Sequence, residues 1–248
     1  MTSKRTAIVL GGSGSVGMAL LRELFRGDGE FAAVVTLSRR SLPEAVALAA
    51  STGRKLVEKL VPEMKPAPLA AATLEVAREV EGDLEGFSVL GVGANTAKLS
   101  LEEHRAVDVE LNEAFARALR DSGKVQHLAF MSAVGADRAA STAGSGAAGM
   151  SRYNRVKGES EDAVRASGPA LVSVFRPAMI IGSRHTPWLL EKALPLLSFA
   201  TPGKFKSISV DQIAKAMVAS ANRHPARSDT YHYPEMMALI ANVANARS

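Results

Sequence analysis

Apolar positions along the chain alternate between two rhythms. Thr6 to Leu10, Ala32 to Leu37, Val125 to Met131 and Leu171 to Phe175 are short, nearly unbroken apolar runs. A strand covered on both faces has no polar side, so it reads as a continuous run rather than as alternation. Lys55 to Val61 and Phe87 to Val92, the latter closing on Gly93-Ala94-Asn95, predict two more strands. Between these lie stretches with apolar residues at helical spacing: Met18 to Arg26, Leu69 to Val80, Leu101 to Arg120 and Tyr153 to Ser167. Ser100 suits an N-cap, with Glu103 at capping-box spacing, and Gly168-Pro169 stops the helix that begins at Tyr153. Strands alternating with helices mean βαβ units, and the predicted fold is α/β: a doubly wound parallel sheet with helices on both faces.

Two segments break the rhythm. Ala139 to Gly149 (AASTAGSGAAG) reads as a mobile loop. After Gly182 the alternation fades into a Pro-punctuated stretch and one more predicted helix, Val210 to Asn222. The expectation is a single domain over 1–248, in which residues 183–248 add a small substrate-side cap. Charge changes this picture little: 30 Lys and Arg against 25 Asp and Glu are interleaved, which argues against nucleic acid as a partner. The chain has no cysteine, which excludes disulfides, thiolate metal sites and a cysteine nucleophile, and fits a reducing cytoplasm. No apolar run approaches the roughly 18 to 20 residues of a membrane span, and Met1 to Leu10 does not read as a signal peptide. Membrane association is not expected.

Chemistry concentrates at a few positions. Gly12-x-Gly14-x-x-Gly17 and, overlapping it, Gly11-x-x-Gly14-x-x-Gly17 separate the first strand from the first helix. Glycines there permit a tight turn, close approach of a pyrophosphate and close packing of helix on strand, while the helix N-terminus offers amides to phosphate. The second strand ends in Ser38-Arg39-Arg40, with no carboxylate before Glu44. An acid in this region suits the ribose hydroxyl of NAD and an arginine suits the 2′-phosphate of NADP, so NADP(H) is preferred over NAD(H). Tyr153 and Lys157 lie four apart on a helix, which places their Cβ atoms about 5 to 6 Å apart. A phenol ordinarily titrates at about 10, and a neighbouring ammonium favours phenolate, so Tyr153 is a candidate acid or base for a hydride-transfer reaction. Ser132, at the end of the fifth strand, is placed to hold a carbonyl oxygen.

Taken together, Gly11 to Gly17, Leu37 to Leu42 (LSRRSL), Met131 to Asp137 (MSAVGAD), Tyr153 to Glu159 (YNRVKGE) and Val174 to Gly182 (VFRPAMIIG) resemble a short-chain dehydrogenase/reductase. The narrower resemblance is to the atypical group that includes the Tat-interacting-protein oxidoreductases and their bacterial relatives. It implies a Rossmann-like fold in which Gly11, Ser13, Gly14, Ser15, Val16 and Gly17 meet the pyrophosphate and Arg39 and Arg40 the 2′-phosphate. Gly91, Val92, Gly93 and Ala94 would line the adenosine side. Tyr153 and Lys157 would bind the nicotinamide ribose, and the backbone of Pro177, Ala178 and Met179 would meet the carboxamide. Ser132, Tyr153 and Lys157 would be catalytic, acting on a small-molecule carbonyl or alcohol, and related proteins often pair as homodimers through helices.

Some features depart from that pattern. Val61-Pro62-Glu63 stands where relatives place an acid soon after the third strand, and 21 positions separate Ser132 from Tyr153, more than is usual. The extra residues coincide with the Gly/Ala/Ser loop, which leaves Ser141, Ser145 and Ser151 as alternative hydroxyls. Other readings of the same motifs are a coenzyme-binding regulatory or scaffold protein with little turnover, and an isomerase or rearrangement enzyme. His104, His127, His185, His224 and His232 are scattered without ligand spacing, so no metal is expected. His185 and Trp188 are candidates for the substrate pocket; Asp108 and Asn112 read as solvated, and Met236 and Met237 as packing.

Overall fold

A computed structural model describes residues 5–26, 30–142, 147–182 and 203–245. In chain order the elements are β1 (Arg5–Leu10), α1 (Ser15–Leu24), β2 (Phe31–Ser38), α2 (Pro43–Thr52), β3 (Lys55–Leu60), α3 (Pro66–Glu79), β4 (Leu84–Ser88), α4 (Leu101–Arg105), α5 (Leu111–Asp121), β5 (Val125–Met131), α6 (Ala147–Ser167), β6 (Leu171–Phe175), β7 (Ile180–Ile181), β8 (Ile208–Ser209), α7 (Val210–Asn222), β9 (Thr230–Tyr231) and α8 (Tyr233–Asn245). Seven strands form one sheet in the order β3-β2-β1-β4-β5-β6-β9, every pair parallel, and β7 and β8 pair separately. The order reverses between β1 and β4, and a doubly wound sheet opens a crevice at the carboxyl ends of such strands.

The unbroken apolar reading of β1 has its cause in the two cores. Ala7 and Val9 face a core built with α1, α2, α7 and α8, while Ile8 and Leu10 face another built with α3, α5 and α6. Each face is covered, so neither parity can be polar. Among the described residues no helix is long and apolar enough to cross a membrane.

Five elements differ from the sequence expectation. β4 runs Leu84–Ser88, several residues earlier than Phe87 to Val92. Its Glu85 is buried and paired with Arg5 and His127, a tertiary match that makes a charge acceptable in a central strand. α2 was not expected: its burial is confined to Ala45 and Ala49, which gives no apolar stripe, although Pro43 in its first turn and Gly53 at φ 64° mark its ends. α6 begins at Ala147, so its first residues come from the predicted loop, whose residues 143–146 lie outside the described ones. β9 and α8 were also missed. β9 extends the main sheet beside β6, and α7 packs on α1, so residues 208–245 build the domain's own layers. Residues 183–202, including His185 and Trp188, lie outside the described residues.

Candidate active site

The glycine turn leads from β1 into α1 at the switch between β1 and β4. Gly11 has φ 90°, and a Cβ there would stand 2.6 Å from the backbone nitrogen of Leu90; one on Gly17 would stand 2.2 Å from the Gly11 carbonyl oxygen. Internal packing therefore demands glycine at both positions. Gly14 differs, because a Cβ there would meet only the Gly11 oxygen, at an ordinary 3.7 Å. The chain itself leaves that side open, as a closely approaching pyrophosphate requires, and Gly14 leaves the α1 N-terminus without a side-chain cap. Ser13 is exposed, Ser15 half-buried and Val16 buried. The two overlapping patterns differ only in their first glycine, and the contact at Gly11 is tighter than at Gly12, where a Cβ would stand 3.3 Å from Leu42 Cδ1.

A cavity of about 310 Å³ adjoins this turn, lined among others by Gly11, Ser13, Arg39, Arg40, Ser41 and Met64. Both arginines are exposed, and neither forms an ion pair with a carboxylate among the described residues. The Ser38 hydroxyl donates to the Arg40 carbonyl at 2.7 Å, which fixes the turn between them.

Beyond β4, the chain brings the turn to the proposed chemistry. Leu90 abuts Gly11, and a Cβ on the next residue, Gly91, would lie 3.0 Å from Asp108 Oδ1 and 3.1 Å from Lys157 Nζ. Lys157 and Asp108 form an ion pair of 2.7 Å with both side chains almost wholly buried. Asp108 Oδ2 accepts from the Val92 amide at 2.9 Å. Burial opposes the ammonium, but Asp108, Tyr153 and Glu161 outweigh it and hold the Lys157 pKa above the usual lysine value. Gly93 opens the 3₁₀ turn Gly93–Lys98, which contains Ala94 and is tied to α6 by a 2.7 Å hydrogen bond from Arg152 Nη2 to the Thr96 carbonyl.

Asp108 and Asn112 thus correct the solvated reading: both are buried. Between α4 and α5 the helix takes a π turn over Ala106–Glu110. In this turn the Asp108 carbonyl accepts from Asn112 Nδ2 at 2.8 Å and from the Ser160 hydroxyl. Such turns are frequent at functional sites, because they re-aim side chains without ending the helix. One turn earlier, His104 is fully buried, its ring stacks beside that of Tyr153 with centroids 6.0 Å apart, and its Nε2 lies 3.7 Å from Asp108 Oδ2. Neither imidazole nitrogen has a hydrogen-bond partner among the described residues. Burial lowers the His104 pKa, Asp108 opposes this, and Lys157 and Arg152 reinforce it. Tyr153 is half-buried, with Lys157 Nζ 5.9 Å from its ring centroid.

Ser132 follows β5. Its amide donates to the Phe175 carbonyl at 2.7 Å, and its buried hydroxyl lacks a hydrogen-bond partner among the described residues. The segment after it is held against α6, since a Cβ on Gly158 would stand 2.2 Å from the Arg138 nitrogen and the Asp137 amide donates to the Asn154 carbonyl at 2.9 Å. The Pro177 carbonyl accepts from Val134 at 2.8 Å and the Met179 carbonyl from Ile208 at 3.0 Å, placing the 177–179 backbone between this loop and β8, with Ala178 half-buried. Ser141 is exposed, Ser151 is half-buried in α6 and Ser145 lies outside the described residues. Among the described residues no group of His, Asp or Glu could hold a metal.

Sheet order, glycine turn and helical layers together define a Rossmann-like doubly wound α/β fold, which the following solved structures share. A short-chain dehydrogenase/reductase from Serratia marcescens superposes with a TM-score of 0.66 at 19% identity, covering 95% of this chain and 99% of that one. A 3-oxoacyl-[acyl-carrier protein] reductase from Brucella melitensis gives 0.69 at 14% identity, covering 94% and 97%. In sequence, the mitochondrial protein fmp52 of Aspergillus fumigatus is 29% identical over 190 residues, covering 77% of this chain and 73% of that protein. No protein-family model matches the chain.

Proposed function

We propose that the protein is an NADP-dependent oxidoreductase of the short-chain dehydrogenase/reductase type, moving hydride between nicotinamide and a carbonyl or alcohol. The observation that carries this reading is the convergence of residues 11, 91, 108 and 157. An open glycine turn abuts Leu90, and a Cβ on Gly91 would lie 3.1 Å from the Nζ of a buried lysine one helical turn from Tyr153. When bound, the coenzyme supplies or accepts the hydride. The first-turn amides of α1 would hold its pyrophosphate and the exposed guanidinium groups of Arg39 and Arg40 its 2′-phosphate. Lys157, kept charged by Asp108, would orient the ribose and present positive charge toward the phenol. Tyr153 Oη would give a proton to the substrate oxygen in reduction and take it in oxidation, while the Ser132 hydroxyl would donate to that oxygen. That the buried Ser132 hydroxyl has no hydrogen-bond partner among the described residues supports that last role, since such a group ordinarily finds one.

The test is coenzyme oxidation across a panel of aldehydes and ketones, followed by Tyr153→Phe. The variant is expected to bind NADPH as the wild type does while losing turnover by at least about 100-fold. Full activity in Tyr153→Phe would refute the assigned role.

A further inference from the structure

The arginine-bearing loop between β2 and α2 is held from an unexpected direction. α2 has Leu42 at its N-cap and Ala45 three residues on, so neither residue that usually satisfies the start of a helix carries a side-chain acceptor. Glu58, on the edge strand β3, fills the gap. Its Oε1 accepts from the Leu42 amide at 2.6 Å, and its Oε2 accepts from the Ser41 hydroxyl at 2.9 Å. The Leu42 contact is the one that the acidic member of a capping box would make, supplied here by another element. Together with the bond from Ser38 to the Arg40 carbonyl, it pins the loop on either side of Arg40, beside the 310 Å³ cavity.

We propose that Glu58 is a positioning residue for coenzyme choice: it sets the loop that carries Arg39 and Arg40, and so sets the preference for a dinucleotide bearing a 2′-phosphate. The inference rests on the NADP reading above. Its chemistry is counterintuitive, because a carboxylate close to a phosphate site is repulsive in itself. Its value lies in the two acceptor contacts, which fix the backbone that carries two exposed and rotamer-rich arginines. Charge and acceptor are separable by substitution, which makes the proposal sharp.

NADPH and NADH are titrated by coenzyme fluorescence against the wild type, Glu58→Ala, Glu58→Gln and Ser41→Ala. Loss of one or two hydrogen bonds to a charged acceptor corresponds to roughly a tenfold change. Glu58→Ala is therefore expected to weaken NADPH about tenfold with NADH within about twofold, and Ser41→Ala to do the same more mildly. Glu58→Gln, which keeps an acceptor and drops the charge, should bind NADPH at least as tightly as the wild type. A wild type without preference would defeat the NADP reading itself. A preference that survives in Glu58→Ala, or equal weakening of both coenzymes, would leave that reading intact and overturn the role of Glu58. A Gln variant as weak as Ala would also overturn it. Should Glu58→Ala not fold, Ser41→Ala and Glu58→Gln still decide the matter, and an unchanged coenzyme ratio in Ser41→Ala counts against the proposal.

Discussion

The two ends of the same sheet bury polar groups in opposite ways. At the amino ends of the strands, Arg5 of β1, Glu85 of β4, His127 of β5 and Ser173 of β6 form a continuous network. Arg5 donates to Glu85 at 3.0 Å, to Glu30 at 2.7 Å and to Asn222 at 2.9 Å; His127 bonds Glu85 and, at 2.8 Å, Ser173; Ser220 donates to Ser173 at 3.1 Å. Every side chain in it has a partner. At the carboxyl ends, the Ser132 hydroxyl and both nitrogens of His104 are buried without hydrogen bonds among the described residues. A buried polar group costs stability when left unpaired, and folds ordinarily avoid this. The contrast separates a cluster that joins strands and helices from one whose polar atoms have no hydrogen-bond partner among the described residues.

Breaking the closed cluster should have the largest effect. Glu85→Ala removes the buried carboxylate that Arg5 and His127 share and is expected to cost about 3 kcal/mol, read by urea denaturation, with coenzyme affinity of the folded fraction unchanged. A loss below about 1 kcal/mol would mean that the network contributes no more than a surface pair.

The open cluster should respond in the other direction. His104→Phe keeps an aromatic ring beside Tyr153 and removes two unpaired nitrogens, so stability should rise by about 1 kcal/mol, seen as a melting point about 2 to 4 °C higher. A lower melting point would show that the imidazole is satisfied in solution and that the contrast is false.

The smallest effect concerns pH. The His104 pKa is lowered on folding, so below about pH 6.5, the ordinary imidazole value, the unfolded chain binds a proton that the folded chain refuses. Stability is then highest above that value and falls as the pH drops through the window beneath it. His232, lowered by burial and by Arg176, adds a second contribution of the same sign. Melting points recorded between pH 7.5 and 5.5 should decline in the wild type and decline less steeply in His104→Phe. Parallel slopes in the two proteins would remove His104 as a source.

Several parts of this organisation were legible from residues alone. Val125–Met131, Leu171–Phe175 and Val210–Asn222 have the predicted ends, and the Ser100–Glu103 capping box is formed as its spacing predicts. The misses have separate causes. β4 was displaced because Glu85 reads as polar until Arg5 and His127 are brought to it. α2 escaped because a helix that buries two alanines has almost no stripe to detect, although its proline and glycine ends were visible. Asp108 and Asn112 read as solvated because a 3.6-residue period does not foresee the π turn that accompanies their burial.

What the chain order of residues determined was the rhythm of two-sided strands and helices, and with it a parallel sheet whose first turn must be glycine. These depend on covalent neighbours and on which faces avoid water, and both are written locally. What only the tertiary structure decided was pairing: that Lys157 belongs to Asp108 as much as to Tyr153, that Glu58 completes a helix 16 residues away, and that Glu85 is a core residue. A buried charge is tolerated or excluded according to the partner that folding brings to it, and that partner is distant in sequence.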